Sequence, residues 1–388
     1  MLRNVKSQNL KQNNHISVQE IDMKNKNSKS PQVISRREFI NVSAMAAGAI
    51  MAKPLIKAGL VDGFPTTDRL GRIAVGMVDI KSRPDYDAPT IGTYYEDTVI
   101  PWLQEVIGPW PFRNNQRWVE THEGYIWAPN VQPVKNVLNL PVNSIPENLE
   151  GLWVEVTVPW VDAILDNPPA RSSWWVLQAS KNLPPRFYYS QILWVDEVKE
   201  GSDGNIWYRI NERYGNPGDL FWAPAEAFKA LSRAELEPIN PEVEEKQILI
   251  DSTASHQTLS CYESNQEVYF CRISSGKVPN ITPLSGYGSP GYNIWRKLHS
   301  IQMAGGSNEA GWMIPGIGWA TFFLGSGVAI HSTFWHNNFG EPSSHGCVNA
   351  APEDAKWIFR WASPVTPYQE GDITVSGTIG TPVKVIEY

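Results

Sequence analysis

Across residues 68–240 the apolar and aromatic side chains come in short runs broken by Gly, Pro, Asn and Asp, and this punctuation limits the fold more than any other feature of the chain. An amphipathic helix needs its 3.6-residue period unbroken for about ten residues, so runs cut this often read as strands of small all-β units. Within this stretch a set of landmarks repeats. Tyr94-Tyr95, Glu105-Val106, Trp118 and Trp127-Ala128-Pro129 have counterparts in Tyr188-Tyr189, Glu197-Val198, Trp207 and Trp222-Ala223-Pro224, displaced by 89 to 95 residues. A period that long predicts duplicated domains and is too long for a solenoid unit. With 388 residues, 42% of them hydrophobic and 17 of them Trp, the chain has the material for several cores.

The two stretches, 68–137 and 150–236, resemble the bacterial SH3-like β-barrels attached to cell-wall enzymes, which implies wall-binding or substrate-orienting modules. Their Trp and Tyr residues read chiefly as core, because small barrels need large side chains to fill them. Stacking on sugar or peptide surfaces is the alternative. Residues 237–246, with Pro238, Pro241 and four Glu, read as a solvated linker. Strands resume at 247–251, 256–262 and 267–273, with others at 328–330 and 383–386. Pro352-Glu353-Asp354 opens a helix through Trp361, with Pro in the first turn and acids at the positive dipole end. The predicted fold class is mainly β: two small SH3-like barrels, then a β-rich domain over 247–388 with one clear helix.

Residues 1–60 read as an address. They hold ten of the 33 Lys and Arg but three of the 40 Asp and Glu, so the remainder carries a net charge of −14. An acidic body argues against nucleic acid as a partner, since phosphate neutralisation needs clustered cations. Arg36-Arg37 stands before a small, apolar stretch from Phe39 to Ala52, closed by Lys53-Pro54. That length suits a signal sequence and is too short for a transmembrane helix. The pair resembles the twin-arginine export signal, which implies a cell-envelope location and no spanning segment in the mature chain.

An exported chain with Cys261, Cys271 and Cys347 has an odd number of thiols in an oxidising compartment. A hairpin turning at Ser264-Asn265 sets Cys261 opposite Val268, which puts Cys271 on the other face and disfavours a bridge between the two. A one-residue change of register reverses that conclusion.

The third cysteine sits in the strongest signal of the sequence, His331 followed by Ser344-His345-Gly346-Cys347-Val348-Asn349. This segment, with Ser275-Gly276, Thr282-Pro283, the loop Trp335–Gly340 and residues 354–359 in order around it, resembles the L,D-transpeptidase catalytic domain. A thiol becomes a good nucleophile when a neighbouring imidazole or helix N-terminus favours its ionisation. His331, arriving from another strand, is the better-placed base. His345 lies two residues from the cysteine, about 6–7 Å along an extended chain, and would have to bend back. The resemblance gives the base role to His331 and its orientation to the Ser332 carbonyl. Gly346 and Cys347 amides are candidates for the oxyanion hole. His345 and Asn349 are read as supports of that loop and Ser344 as an ordering hydroxyl. Trp335 and Tyr287 are candidate substrate walls, and residues 314–323 a mobile cover.

The implied reaction is cysteine-dependent and needs no cofactor. Attack on a peptidoglycan stem-peptide carbonyl releases D-alanine and leaves a thioester, and an amine of a second stem takes the acyl group in a 3→3 cross-link. The implied partners are donor and acceptor stems, with carbapenems as inhibitors. Water as acceptor makes the same site an L,D-carboxypeptidase. A wall-binding protein without catalysis and a general cysteine peptidase are the competing classes. A zinc site built from His331, His336, His345 and Cys347 is disfavoured because no paired-ligand motif accompanies them, and His336 alone reads as a solvated loop residue.

Overall fold

The computed structural model describes residues 63–109, 115–286, 288, 291–305 and 312–388, and residues 1–60, where a signal segment is expected, and Tyr287 lie outside them. No helix among the described residues is long and apolar enough to cross a membrane.

Between residues 70 and 134 the short runs pair as two antiparallel sheets. One has three strands, Val99–Pro101, Leu70–Ile73 and Val131–Val134, and the other has five, Thr90–Tyr95, Met77–Lys81, Tyr125–Trp127, Arg117–Glu120 and Gln104–Ile107. Ile73, Val78, Trp102, Val119 and Ile126 form the core between them. Residues 152–230 form a six-stranded antiparallel sheet and a two-stranded one, Trp160–Asp162 with Arg186–Tyr188, around Val154, Phe187, Val195, Tyr208 and Phe221. The repeated landmarks correspond in part: Trp118 and Trp207 each lie on the second strand of a hairpin, and a 3-10 turn follows the next strand, starting at Ala128 after Trp127 in one copy and at Ala225 after Pro224 in the other. Trp118, Trp207 and Trp222 are buried, as core aromatics should be.

One element in this region has no counterpart in the sequence reading, the helix Ser173–Ser180. Its eight residues are apolar on most sides, so no 3.6-residue stripe announces it. Its start is fixed from 47 residues away, where Asp219 accepts the Arg171 and Ser172 N–H groups at 2.8 Å each. Trp175 anchors it against Phe187 and Phe221.

The remaining strands join in one curled ten-stranded sheet. Lys246–Asp251 pairs antiparallel with Thr258–Glu263 and parallel with Pro382–Ile386. Ala329–Ser332 runs parallel to Val348–Ala350 in the middle of the sheet. The helix Pro352–Trp361 has its expected bounds and buries Ala355, Ile358, Phe359 and Trp361. Lys246, assigned by sequence to the end of a solvated linker, is buried; its Nζ donates to the Ile239 and Trp361 carbonyls.

The cysteine register differs from expectation. The two-residue loop is as predicted, with Ser264 and Asn265 both at positive φ, 46° and 66°. A bulge then lets Glu267 pair with Tyr262 and Tyr269 with Cys261, skipping Val268. The skipped residue turns the strand over, so Cys261 and Cys271 share one buried face and the same core cluster. Both are free thiols.

Candidate active site

His331 and Cys347 come together because two short strands run parallel. His331 stands opposite Asn349, and Cys347 immediately precedes Val348, the partner of Ile330, so the parallel pairing sets the two residues on neighbouring stretches of chain. They line a cavity of about 300 Å³ with Trp335, Ser344, His345 and Asn349. Of the nine predicted site residues, these six converge there. Ser332 and Gly346 adjoin it through their backbones, and Tyr287 lies outside the described residues.

A carbonyl oxygen can only accept, so the 2.9 Å contact between His331 Nδ1 and the Ser332 carbonyl places the ring proton on Nδ1. Nε2 is then the lone-pair nitrogen. Burial pulls the His331 pKa from 6.5 down to about 4, the Ser332 bond offsetting part of the shift, so the ring is neutral at physiological pH. Burial also pushes the Cys347 thiol up, against the Ala329 backbone N–H, which favours the thiolate. The resting pair is thus a neutral thiol beside a neutral imidazole. The thiol contacts the Gly327 carbonyl at 3.7 Å.

The segment carrying the cysteine is stapled by hydroxyls. Ser344 Oγ donates to the Cys347 carbonyl at 2.5 Å and accepts the Gly346 N–H at 3.0 Å. That second bond engages within the loop the Gly346 amide expected to serve an oxyanion hole. Gly346 is required by its φ of +123°, since a Cβ there would meet nothing nearer than 3.9 Å. Thr282, whose position sequence reasoning noted without a role, accepts the Gly276 N–H at 2.9 Å and donates to the Gly346 carbonyl at 2.8 Å.

His336 is not a solvated loop residue. Its Nδ1 accepts the Asn338 N–H at 3.1 Å, its Nε2 meets the Asn349 carboxamide at 2.9 Å, and burial lowers its pKa to about 3. Trp335 leans over His331 with centroids 5.9 Å apart. His345 is exposed at the rim. Among the described residues no three His, Cys, Asp or Glu side chains converge as a metal-binding group.

Residues 314–323, anticipated as a mobile cover, form instead most of the strand Trp312–Phe322, paired with Arg296–Gly305 and pinned from residues 152–230. Gln191 Nε2 donates to the Pro315 carbonyl at 2.7 Å, and the buried Glu212 carboxyl accepts the Gly316 N–H. Ile314 and Ile317 on this strand form an apolar wall of the cavity. The loop after His331 is held as firmly: Arg72 donates to the Phe334 carbonyl at 2.7 Å and Arg117 to the Asn337 carbonyl at 3.0 Å.

Residues 245–385 match the model of the YkuD family, described as the L,D-transpeptidase catalytic domain. They begin two residues before the predicted domain. No curated protein matches the chain. Among solved structures, a Cys-to-Ser mutant of the Enterococcus faecium L,D-transpeptidase is 24% identical over 38% of this chain and 51% of that chain, with a TM-score of 0.28. The catalytic domain from E. faecium acylated by ertapenem is 22% identical over 37% and 99%, with a TM-score of 0.27. An L,D-transpeptidase from Mycobacterium tuberculosis H37Rv is 16% identical over 64% and 98%, also at 0.27. The chain spans about half the length of the first of these.

Proposed function

We propose that the chain is a peptidoglycan L,D-transpeptidase with Cys347 as nucleophile and His331 as general base. The observation that carries this reading is the single cavity shared by Cys347 and an imidazole whose Nδ1 proton is committed to the Ser332 carbonyl, leaving Nε2 to accept. Nε2 takes the Sγ proton as the sulfur bonds to the carbonyl carbon of stem residue three. The Cys347 N–H receives the developing oxyanion. The C–N bond to D-alanine then breaks, and the proton passes from Nε2 to the leaving amine. In the second half an acceptor amine attacks the thioester, gives its proton to Nε2, and the thiolate leaves and is reprotonated.

Ile314, Ile317 and Trp335 exclude water from the thioester in this scheme, which favours transfer over hydrolysis. A carbapenem enters the same cavity and acylates the same sulfur. The SH3-like reading of residues 68–137 and 150–236 and export by the twin-arginine route belong to the proposal; Arg36-Arg37 before an apolar stretch supports the latter.

The test is the product made by the purified chain from disaccharide-tetrapeptides. Stems joined 3→3 with release of D-alanine are expected and are lost in Cys347→Ala. Trimmed tripeptides alone would assign the carboxypeptidase reaction, and unchanged substrate would remove the enzymatic reading.

A further inference from the structure

A second cleft runs between the three-stranded sheet and the segment that follows it, the six-stranded sheet, the loop after His331 and the start of the helix Pro352–Trp361. It comprises two adjoining hollows of about 170 and 260 Å³, and Lys135, Tyr189, Pro352 and Glu353 line both. Two hydroxyls in its walls are buried without a hydrogen-bond partner, Thr333 Oγ1 in the smaller hollow and Ser190 Oγ in the larger; the residues are 1% and 2% exposed. Leaving such a group unpaired is destabilising, and a ligand supplying a partner recovers that loss. Ser190 is also held at a φ of 71°, where a serine sits at a cost.

Charges of both signs surround these hydroxyls. Lys135, Lys229 and Lys356 face the larger hollow together with Glu155 and Glu353, and Lys356 Nζ lies 3.5 Å from Glu155. A ligand of one sign would be repelled by half of this set. Sugar hydroxyls both donate and accept, so each charged group serves them, and the half-buried Tyr189 ring offers an apolar face where the hollows join.

We propose that this cleft binds a neutral oligosaccharide. It shares a wall with the cysteine cavity: His336 lines the cleft, and the Asn349 it contacts lines the cavity. On the function proposed above, a glycan seated here presents the peptide it carries to Cys347.

The test is calorimetric titration of the full chain with a hexamer of β-linked N-acetylglucosamine. Saturable 1:1 binding is expected, weakened about tenfold in Ser190→Ala and in the exposed Lys135→Ala, which is the loss of one ligand hydrogen bond to a charged or buried group. Carbapenem acylation of both variants is expected within twofold of the parent. Absence of saturable binding, binding indifferent to both substitutions, or preference for an acidic peptide over the hexamer would overturn the assignment. Hexamer binding without acylation would leave the cleft standing and remove the catalytic reading.

Discussion

At the scale of residues, the site works from a neutral pair. Burial holds His331 unprotonated down to about pH 4 and holds the Cys347 thiol above its ordinary value. Acylation by a carbapenem is therefore expected to keep its rate from pH 8 to pH 5, to fall only as His331 takes a proton near pH 4, and to rise on the alkaline side as the thiol ionises. Stopped-flow fluorescence across this range checks it; an acid limb near 6.5 would show an unperturbed imidazole. Removing the base in His331→Ala is expected to slow acylation by about 10²–10⁴. His345→Ala, at the exposed rim, should stay close to the parent rate, and the opposite ranking in the same assay would reassign the base. Cys347, His331 and their flanks were legible because the motif keeps its order along the chain. The roles of His336 and Thr282 were not, since each depends on a partner 13 or 64 residues away that only the strand register supplies.

At the scale of elements, the loop after His331 is shaped by contacts from outside the catalytic sheet. Arg72, 2% exposed, joins the Phe334 carbonyl, Gln132 and Asp97, and its guanidinium lies 4.3 Å from the Tyr188 ring, which in turn stacks on Phe334. Truncation in Arg72→Ala leaves the Phe334 carbonyl unpaired while Asp97 keeps Arg186. A destabilisation of about 2–3 kcal/mol is expected, below the full cost of breaking a buried ion pair, with slower acylation because the backbone leading into Trp335 loses its anchor at the Phe334 carbonyl. Denaturant unfolding together with acylation rates checks this, and an unchanged midpoint would show that the loop stands alone. The helix Pro352–Trp361 was readable from its proline, its acids and its apolar stripe. The helix Ser173–Ser180 carries no such marks, and the bulge after Cys261 leaves none in the sequence, though it decides which face two thiols occupy.

At the scale of the molecule, units that the sequence separates share a core. Trp153, Ile192, Trp194 and Leu231 pack in one cluster with Ile248, Trp319 and Phe359. Short runs and turns reveal each sheet, but no local pattern says which outer faces meet. At this junction burial raises the Glu212 carboxyl from 4.5 to about 8, where it accepts the Gly316 N–H beside the cavity wall. Because the folded value lies above the unfolded one, the protonated acid contributes fully below about pH 4.5. That contribution declines as pH rises towards 8 and then levels off. Glu212→Gln is expected to match the parent in thermal midpoint near pH 4.5 and to exceed it at pH 8.5; equal midpoints at both would refute a buried acid. The nucleophile itself is tested most directly by the intact mass of the chain after incubation with a carbapenem. A single adduct on the peptide bearing Cys347, absent in Cys347→Ala, is expected, whereas the same adduct in that variant would contradict the assignment.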